Sequence, residues 1–282
     1  MRARVLGGLL AAGGYLLCAR AVRSPEPWET GQTANDILAA PTWPSTFPLT
    51  AAHLSRLDES DDQQFYAQPR LVQHIDEYAV RRLQQYYKDS LPRGGHVLDL
   101  MSSWTSHLAE GSGKNKQDGH FGHVSGVGMH AAELARNEAL SDFHVHDLNQ
   151  APTLPMYADA SFDAVFCSVS VDYLSRPLEV FAEIHRILKP GGLAVFTWSN
   201  RMFPTKAISA WRQASEPARL WIAASYFRYS VPGGFTPAEG ADISPHPGRS
   251  DPLYVVSARK AEDALPAEQG RQQPAEARKE EL

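Results

Sequence analysis

Short apolar runs bounded by polar turns recur along the middle of the chain and alternate with stretches whose apolar residues return at helical spacing. The runs are Val97 to Met101, Val124 to Gly128, Phe143 to His146, Ala164 to Val169, Leu193 to Trp198 and Leu253 to Arg259. Most are short and nearly continuous in hydrophobicity, which predicts strands buried on both faces, the condition of a parallel sheet. Leu71, Ile75, Tyr78, Leu83 and Tyr86 predict an amphipathic helix that Pro92 and Gly94 stop. Shorter helices are expected near Trp104 to Glu110 and from Ala131 to Glu138. A helix opened by Pro177 buries Leu178, Phe181, Ile184 and Leu188, and Gly191 suits its left-handed stop. A last helical region spans about Thr205 to Phe227. Such alternation predicts an α/β fold: a doubly wound, mostly parallel sheet with helices on both faces and a hairpin-like pair at one edge.

At 282 residues the chain has room for one sizeable α/β domain with appendages. A net charge of -5 and the lack of a Lys/Arg block remove the electrostatic footprint of a nucleic-acid binder. Cys18 and Cys167 support neither a disulfide framework nor a zinc pattern. Residues 1–24 read separately, because Arg2 and Arg4 precede an uncharged run from Val5 to Ala19 that Arg20 and Arg23 close. That layout fits a signal peptide, an organellar presequence or a short membrane anchor. The run falls short of the roughly 20 residues of a spanning helix, which favours a removable address to an organelle or the secretory pathway over membrane association. Residues 25–60 form a Pro-rich linker whose Trp28, Trp43 and Phe47 are expected to dock on the domain of residues 61–260. Gly111 to Gly122 reads as a surface insertion, and residues 261–282 as a disordered tail.

Open parallel sheets bind ligands beyond the carboxyl ends of their strands, so the loops after the first four strands carry the chemistry. The first of these is His96-Val-Leu-Asp-Leu-Met-Ser-Ser-Trp104, an apolar run ending in an acid and a polar turn. Phe162-Asp-Ala-Val-Phe-Cys167 and Arg186-Ile-Leu-Lys-Pro-Gly-Gly-Leu-Ala-Val-Phe196 follow it. In that order these motifs resemble the class I S-adenosylmethionine-dependent methyltransferases, most closely their type 11 group, over about residues 65–260. The resemblance implies a seven-stranded Rossmann-like methyltransferase sheet with an N-terminal helical cap, S-adenosyl-L-methionine as cofactor and a small-molecule acceptor.

It also implies roles. Asp99 stands at the family's motif acid, and Met101, Ser102 and Ser103 occupy the turn around the cofactor's methionine moiety. Met-Ser-Ser there replaces the family's Gly-x-Gly, so hydroxyls are available for the cofactor's carboxylate where backbone would otherwise approach it. Gly128 and Met129 fall where the family places an acid on the ribose hydroxyls, leaving His130, a water or Glu133 as stand-ins. Asp147 matches the acid that meets the adenine amino group, with Leu148 against the ring; a plain turn cap is the competing role. Ser168 and Val169 would line the cofactor's amino end, or simply pack the strand.

Transfer from a sulfonium needs alignment more than covalent help, so a base matters only if the acceptor must lose a proton. Asp172 and Tyr173, just beyond the fourth strand, are the candidate catalytic pair. Tyr66, Arg70, His74 and Asn200 are candidates for contacting the acceptor, with Arg70 and His74 expected one turn apart on the preceding helix. Trp211, Trp221, Tyr226, Phe227 and Tyr229 fit either an aromatic wall near the cleft or plain core. The pairs His120/His123 and His144/His146 lack a third ligand, so no metal site is expected. A nicotinamide-dependent oxidoreductase would carry Gly-x-Gly-x-x-Gly after the first strand, which this chain does not. The missing glycines and ribose acid leave one alternative, a methyltransferase-like binding protein without turnover.

Overall fold

The computed structural model describes residues 36–109 and 119–262. The N-terminal segment 1–24, the start of the linker, the first part of the 111–122 insertion and the tail from residue 263 lie outside the described residues. Ahead of the sheet the chain forms two single-turn helices, α1 (Ala51–Leu54) and α2 (Asp62–Phe65), and a longer one, α3 (Glu77–Ser90). The sheet begins with β1 (His96–Ser102) and β2 (His123–Gly128), and α4 (Ala131–Leu134) leads to β3 (Asp142–Val145). Then come β4 (Phe162–Ser168), a 3-10 turn at Val171–Tyr173, α5 (Pro177–Ile187) and β5 (Leu188–Trp198). Helices α6 (Ser209–Gln213) and α7 (Glu216–Ser230) precede the closing strands β6 (Glu239–Asp242) and β7 (Tyr254–Arg259).

The seven strands lie in the order β3-β2-β1-β4-β5-β7-β6. β1 pairs in parallel with both β2 and β4, so the winding reverses beside it, and a ligand crevice is expected there. β7 runs antiparallel to β5 and β6, the edge pair that the alternation of elements had implied.

Both faces of the central strands are dry. Leu98, Leu100, Val165 and Phe196 pack on the side of α5 and α7 with Phe181, Trp221, Tyr226 and Phe227. Val97, Phe166, Val195 and Val255 pack on the other side, under Ala79, Leu83 and Tyr87 of α3. The linker docks as its aromatics imply: Trp43 stacks on Trp221 at 4.9 Å, and Phe47 meets Tyr229 at 5.7 Å. Trp211, Trp221, Tyr226 and Phe227 are therefore core, away from the strand ends that hold the loops.

Several local expectations are corrected. α3 begins only at Glu77, where the Asp76 carboxylate accepts from the Ala79 amide. Residues 66–76, with Pro69 among them, run irregularly, so Tyr66, Arg70 and His74 do not lie on a helix. No helix follows β1 through residue 109, because Ser102, Ser103 and Ser106 use their hydroxyls in contacts with Asp99, Glu133 and Asn137 that hold another backbone path. Gly191 is left-handed, at φ +73, but inside β5: α5 has already ended at Ile187, since Pro190 favours extended backbone before it. The expected 205–227 helix is broken at Ala214 and Ser215, ahead of a proline in the first turn of α7.

Candidate functional site

A cleft of about 320 Å³ opens beyond the carboxyl ends of β1, β2, β3 and β4. Asp99, Met101, Ser102 and Ser103 border it from β1 and its loop, Gly128 and Met129 from β2, Asp147 and Leu148 from the loop after β3. Ser168 and Val169 close it from β4, and Tyr66, Arg70, His74 and Tyr173 form the opposite wall. Asp172 and Asn200 do not border it. Tyr66, Arg70 and His74 are thus brought to the cleft by an irregular strap and not by a shared helix face.

The turn after β1 is tied down by polar contacts. Ser102 Oγ donates to Asp99 Oδ2 at 2.6 Å, and burial pushes the Asp99 carboxyl up to about 7 against the opposing pull of Ser102 and Ser106. Ser103 Oγ donates to Glu133 Oε2 at 2.6 Å, while Glu133 Oε1 accepts from the Arg70 amide at 2.6 Å. Asn137 Nδ2 donates to the Ser103 carbonyl at 2.9 Å and to Ser106 Oγ at 2.8 Å. Both serine hydroxyls of the turn therefore serve protein carboxylates, contrary to the role expected of them toward a ligand carboxylate. The backbone keeps what the glycines supply elsewhere: Met101 is left-handed at φ 59, at a cost of about 1 kcal/mol. His107 (φ 52) and Val169 (φ 44) share that conformation, and all three line the cleft.

The missing ribose acid has a steric cause. A Cβ on Gly128 would overlap the Ser102 carbonyl oxygen and stand 3.0 Å from its carbon, because the β1 bulge between Leu100 and Ser102 brings Ser102 opposite Gly128. Neither stand-in is idle. His130 Nδ1 accepts from the Ala132 amide at the start of α4, and both Glu133 oxygens are bonded as above. At Asp147 the turn-cap role is present: Oδ1 accepts from the Asn149 amide at 2.8 Å and closes the turn, while Oδ2 is buried with no hydrogen-bond partner among the described residues.

Residues 112–196 match the Methyltransf_11 family, described as a methyltransferase domain. A 145-residue stretch, 51% of this chain, is 32% identical to the biotin biosynthesis bifunctional protein BioHC of Teredinibacter turnerae and covers 21% of it. Over 119 residues, 39% of each chain, it is 33% identical to dimethylglycine N-methyltransferase of Parasynechococcus marenigrum. The family match, these relatives and the strand order support a class I S-adenosylmethionine-dependent methyltransferase. It spans only 21% to 39% of the length of these two curated relatives. Among solved structures, an S-adenosylmethionine-dependent methyltransferase from Mesorhizobium loti superposes with a TM-score of 0.40 at 17% identity, covering 64% of this chain and 96% of that one.

The wall facing the β1 loop is aromatic and cationic. Tyr173 stacks on Phe203 at 6.0 Å and 29°, and its hydroxyl accepts from the Phe203 amide at 2.9 Å. Asp172 diverges from Tyr173 because successive residues of a 3-10 turn point roughly 120° apart. Its carboxyl is buried in the protein, is pushed up to about 7 by that burial, and leaves Oδ2 without a partner. Asn200 is exposed and accepts from Ser199 Oγ. The expected roles of Asp172 and Asn200 at the acceptor are thus withdrawn on geometry.

Other cleft residues carried no pattern to find them by. His107 is buried, with Nδ1 unpartnered, and burial, then His74, lowers its imidazole to about 4. Phe203 arrives from the loop after β5, and Trp104 Nε1 donates to the Val72 carbonyl at 3.1 Å, tying the β1 loop to the strap. Asp62 joins three elements. Its carboxylate takes Arg56 Nη1 at 2.7 and 2.8 Å, Lys206 Nζ at 3.0 Å and Asn149 Nδ2 at 3.1 Å.

Proposed function

We propose that this protein transfers a methyl group from S-adenosylmethionine to a small-molecule acceptor held between the end of β4 and the strap of residues 66–74. The observation that carries the reading is Asp147 Oδ2, a buried carboxylate oxygen with no protein partner on the wall of the cleft. A buried acceptor left open at a ligand-binding strand end calls for a donor from outside the chain, and an adenine amino group supplies one. Leu148 and Met129 would flank the base. The left-handed turn at Met101 to Ser103, with Ser168 and Val169 across from it, would hold the methionine end through backbone groups, since the serine hydroxyls are already engaged.

When bound, the cofactor supplies an already activated methyl on a sulfonium. The chain's own share is alignment and exclusion of water. Trp104, Tyr173 and Phe203 present apolar surface to the cleft, and the tie between Trp104 and Val72 fixes the strap against the β1 loop.

The test is calorimetry with S-adenosylhomocysteine on the full chain. Saturable one-to-one binding is expected; absence of binding at millimolar ligand removes the reading.

A further inference from the structure

The acceptor wall is built around the Arg70 guanidinium. Resting on the methyltransferase reading above, we infer that the acceptor is a small organic acid whose carboxylate is received by Arg70. The Arg70 guanidinium lies 4.1 Å from the centre of the Phe65 ring, 4.8 Å from Phe203 and 5.6 Å from Tyr66. Its Nη2 donates to the Phe65 carbonyl at 3.1 Å, and its buried Nη1 has no acceptor among the described residues. Three rings and a carbonyl fix the fork in place before any ligand arrives, so little side-chain freedom is left to lose on binding.

Among the described residues no carboxylate pairs with this guanidinium, and the cleft's acids show why. Asp62 is taken by Arg56, Lys206 and Asn149. Glu133 accepts from the Arg70 backbone and from Ser103. Asp99 is buried behind Ser102, and Asp147, which forms no ion pair with Arg70, is the acid assigned above to the adenine amino group. Arg201, the other arginine on the wall, is paired with Asp251. His74 and His107 are both held below the usual imidazole range by burial, so they bring no further fixed charge.

A planar carboxylate matches the guanidinium edge and satisfies the open N–H. An ammonium-bearing acceptor would face a fixed positive charge with no free acid to offset it, which is discrimination by repulsion. Tyr66, Tyr173 and Phe203 flank the position with ring surface, so the acid's body is apolar or flat.

The full chain saturated with S-adenosylhomocysteine is titrated with benzoate and hexanoate, and in parallel with benzylamine and hexylamine. At least one acid is expected to bind at least tenfold more tightly than its matched amine. Arg70→Gln is expected to remove that preference, weakening the acid at least ten times more than it weakens S-adenosylhomocysteine. Amines binding as well as acids, acids failing to bind the loaded protein, or an Arg70→Gln variant that keeps the preference would each overturn the inference. The wild-type comparison decides even if the variant does not fold. Failure of S-adenosylhomocysteine itself to bind counts against the methyltransferase reading instead.

Discussion

Gly128 and Ser102 face each other across the β1–β2 pairing so closely that no side chain fits on Gly128: a Cβ there would run into the Ser102 carbonyl. The position is the one at which the methyltransferase resemblance implies a ribose-gripping acid, so Gly128→Asp looks like a repair. It is expected to fail as one. The carboxylate would meet backbone, which cannot yield as a flexible side chain would, and it would stand in a strand that is buried at this point. Overpacking alone costs roughly 1–3 kcal/mol, and a poorly paired buried charge adds to it. Urea denaturation of Gly128→Asp should show a loss of unfolding free energy of that size or larger, with no gain in S-adenosylhomocysteine affinity. A folded variant that binds the ligand more tightly would show that the Ser102 turn can move.

Asp147 separates two roles between its two oxygens. In Asp147→Asn the side-chain oxygen can still take the Asn149 and Gln150 amides, while the second position becomes a donor. Donor would then face the proposed adenine donor. Affinity for S-adenosylhomocysteine is expected to fall by about 10- to 100-fold, the loss associated with a charge-assisted hydrogen bond, at nearly unchanged thermal stability. Equal affinities by calorimetry would mean that Oδ2 meets no ligand.

How far the chain could be read in advance follows from what is local. The strand runs and the Asp-Leu-Asn after β3 are contiguous patterns; they gave the sheet and its switch point, and Asp147 lies on the cleft wall. Arg70 and His74 reached the right cleft for the wrong reason, since the apolar spacing of Leu71 to Tyr86 continued through a segment that Asp76 caps only at its end. Asp172 and Tyr173 are neighbours in sequence, yet a 3-10 turn sends one inward and the other to the cleft. Nothing in the wording of residues 201–207 announces that Phe203 meets Phe65, or that Lys206 reaches Asp62, because both contacts join segments about 140 residues apart.

Asp172 offers a pH test of that correction. Its folded-state value near 7 lies above the ordinary 3.8, so the native state holds a proton that the unfolded chain releases. With more protons bound in the folded state, stability falls as pH rises from about 4 to about 7, and the loss is complete above that. Asp172→Asn removes this penalty. The variant is expected to be more stable than wild type at pH 8, to lose that advantage near pH 4, and to bind S-adenosylhomocysteine as wild type does. A variant that matches wild type in denaturation at pH 8 would place the carboxyl in a better solvated setting than the core.

Asp62 is the point where the cap is fastened to the sheet's loops, and it holds two cations that have no comparable alternative. Lys206 is fully buried, and its remaining partners are Asp58, half-exposed at 35%, and the oxygens of Ser60 and the Asp58 backbone. Arg56 keeps only Glu59, which is 59% exposed. Removing the shared acid in Asp62→Ala leaves charge behind in a dry place, and breaking a buried pair from one side costs roughly 3–5 kcal/mol. The energy of a hub cannot be split among its arms, so Lys206→Met is the informative partner: it deletes the buried charge together with one of the contacts. Asp62→Ala is expected to lose several kcal/mol and to open residues 56–74 to proteolysis and hydrogen exchange before the sheet unfolds. The double variant Asp62→Ala, Lys206→Met should recover part of that stability, because no buried ammonium then stands unpaired. Protection of residues 56–74 that is unchanged in Asp62→Ala would show that the strap is held by its aromatic contacts alone.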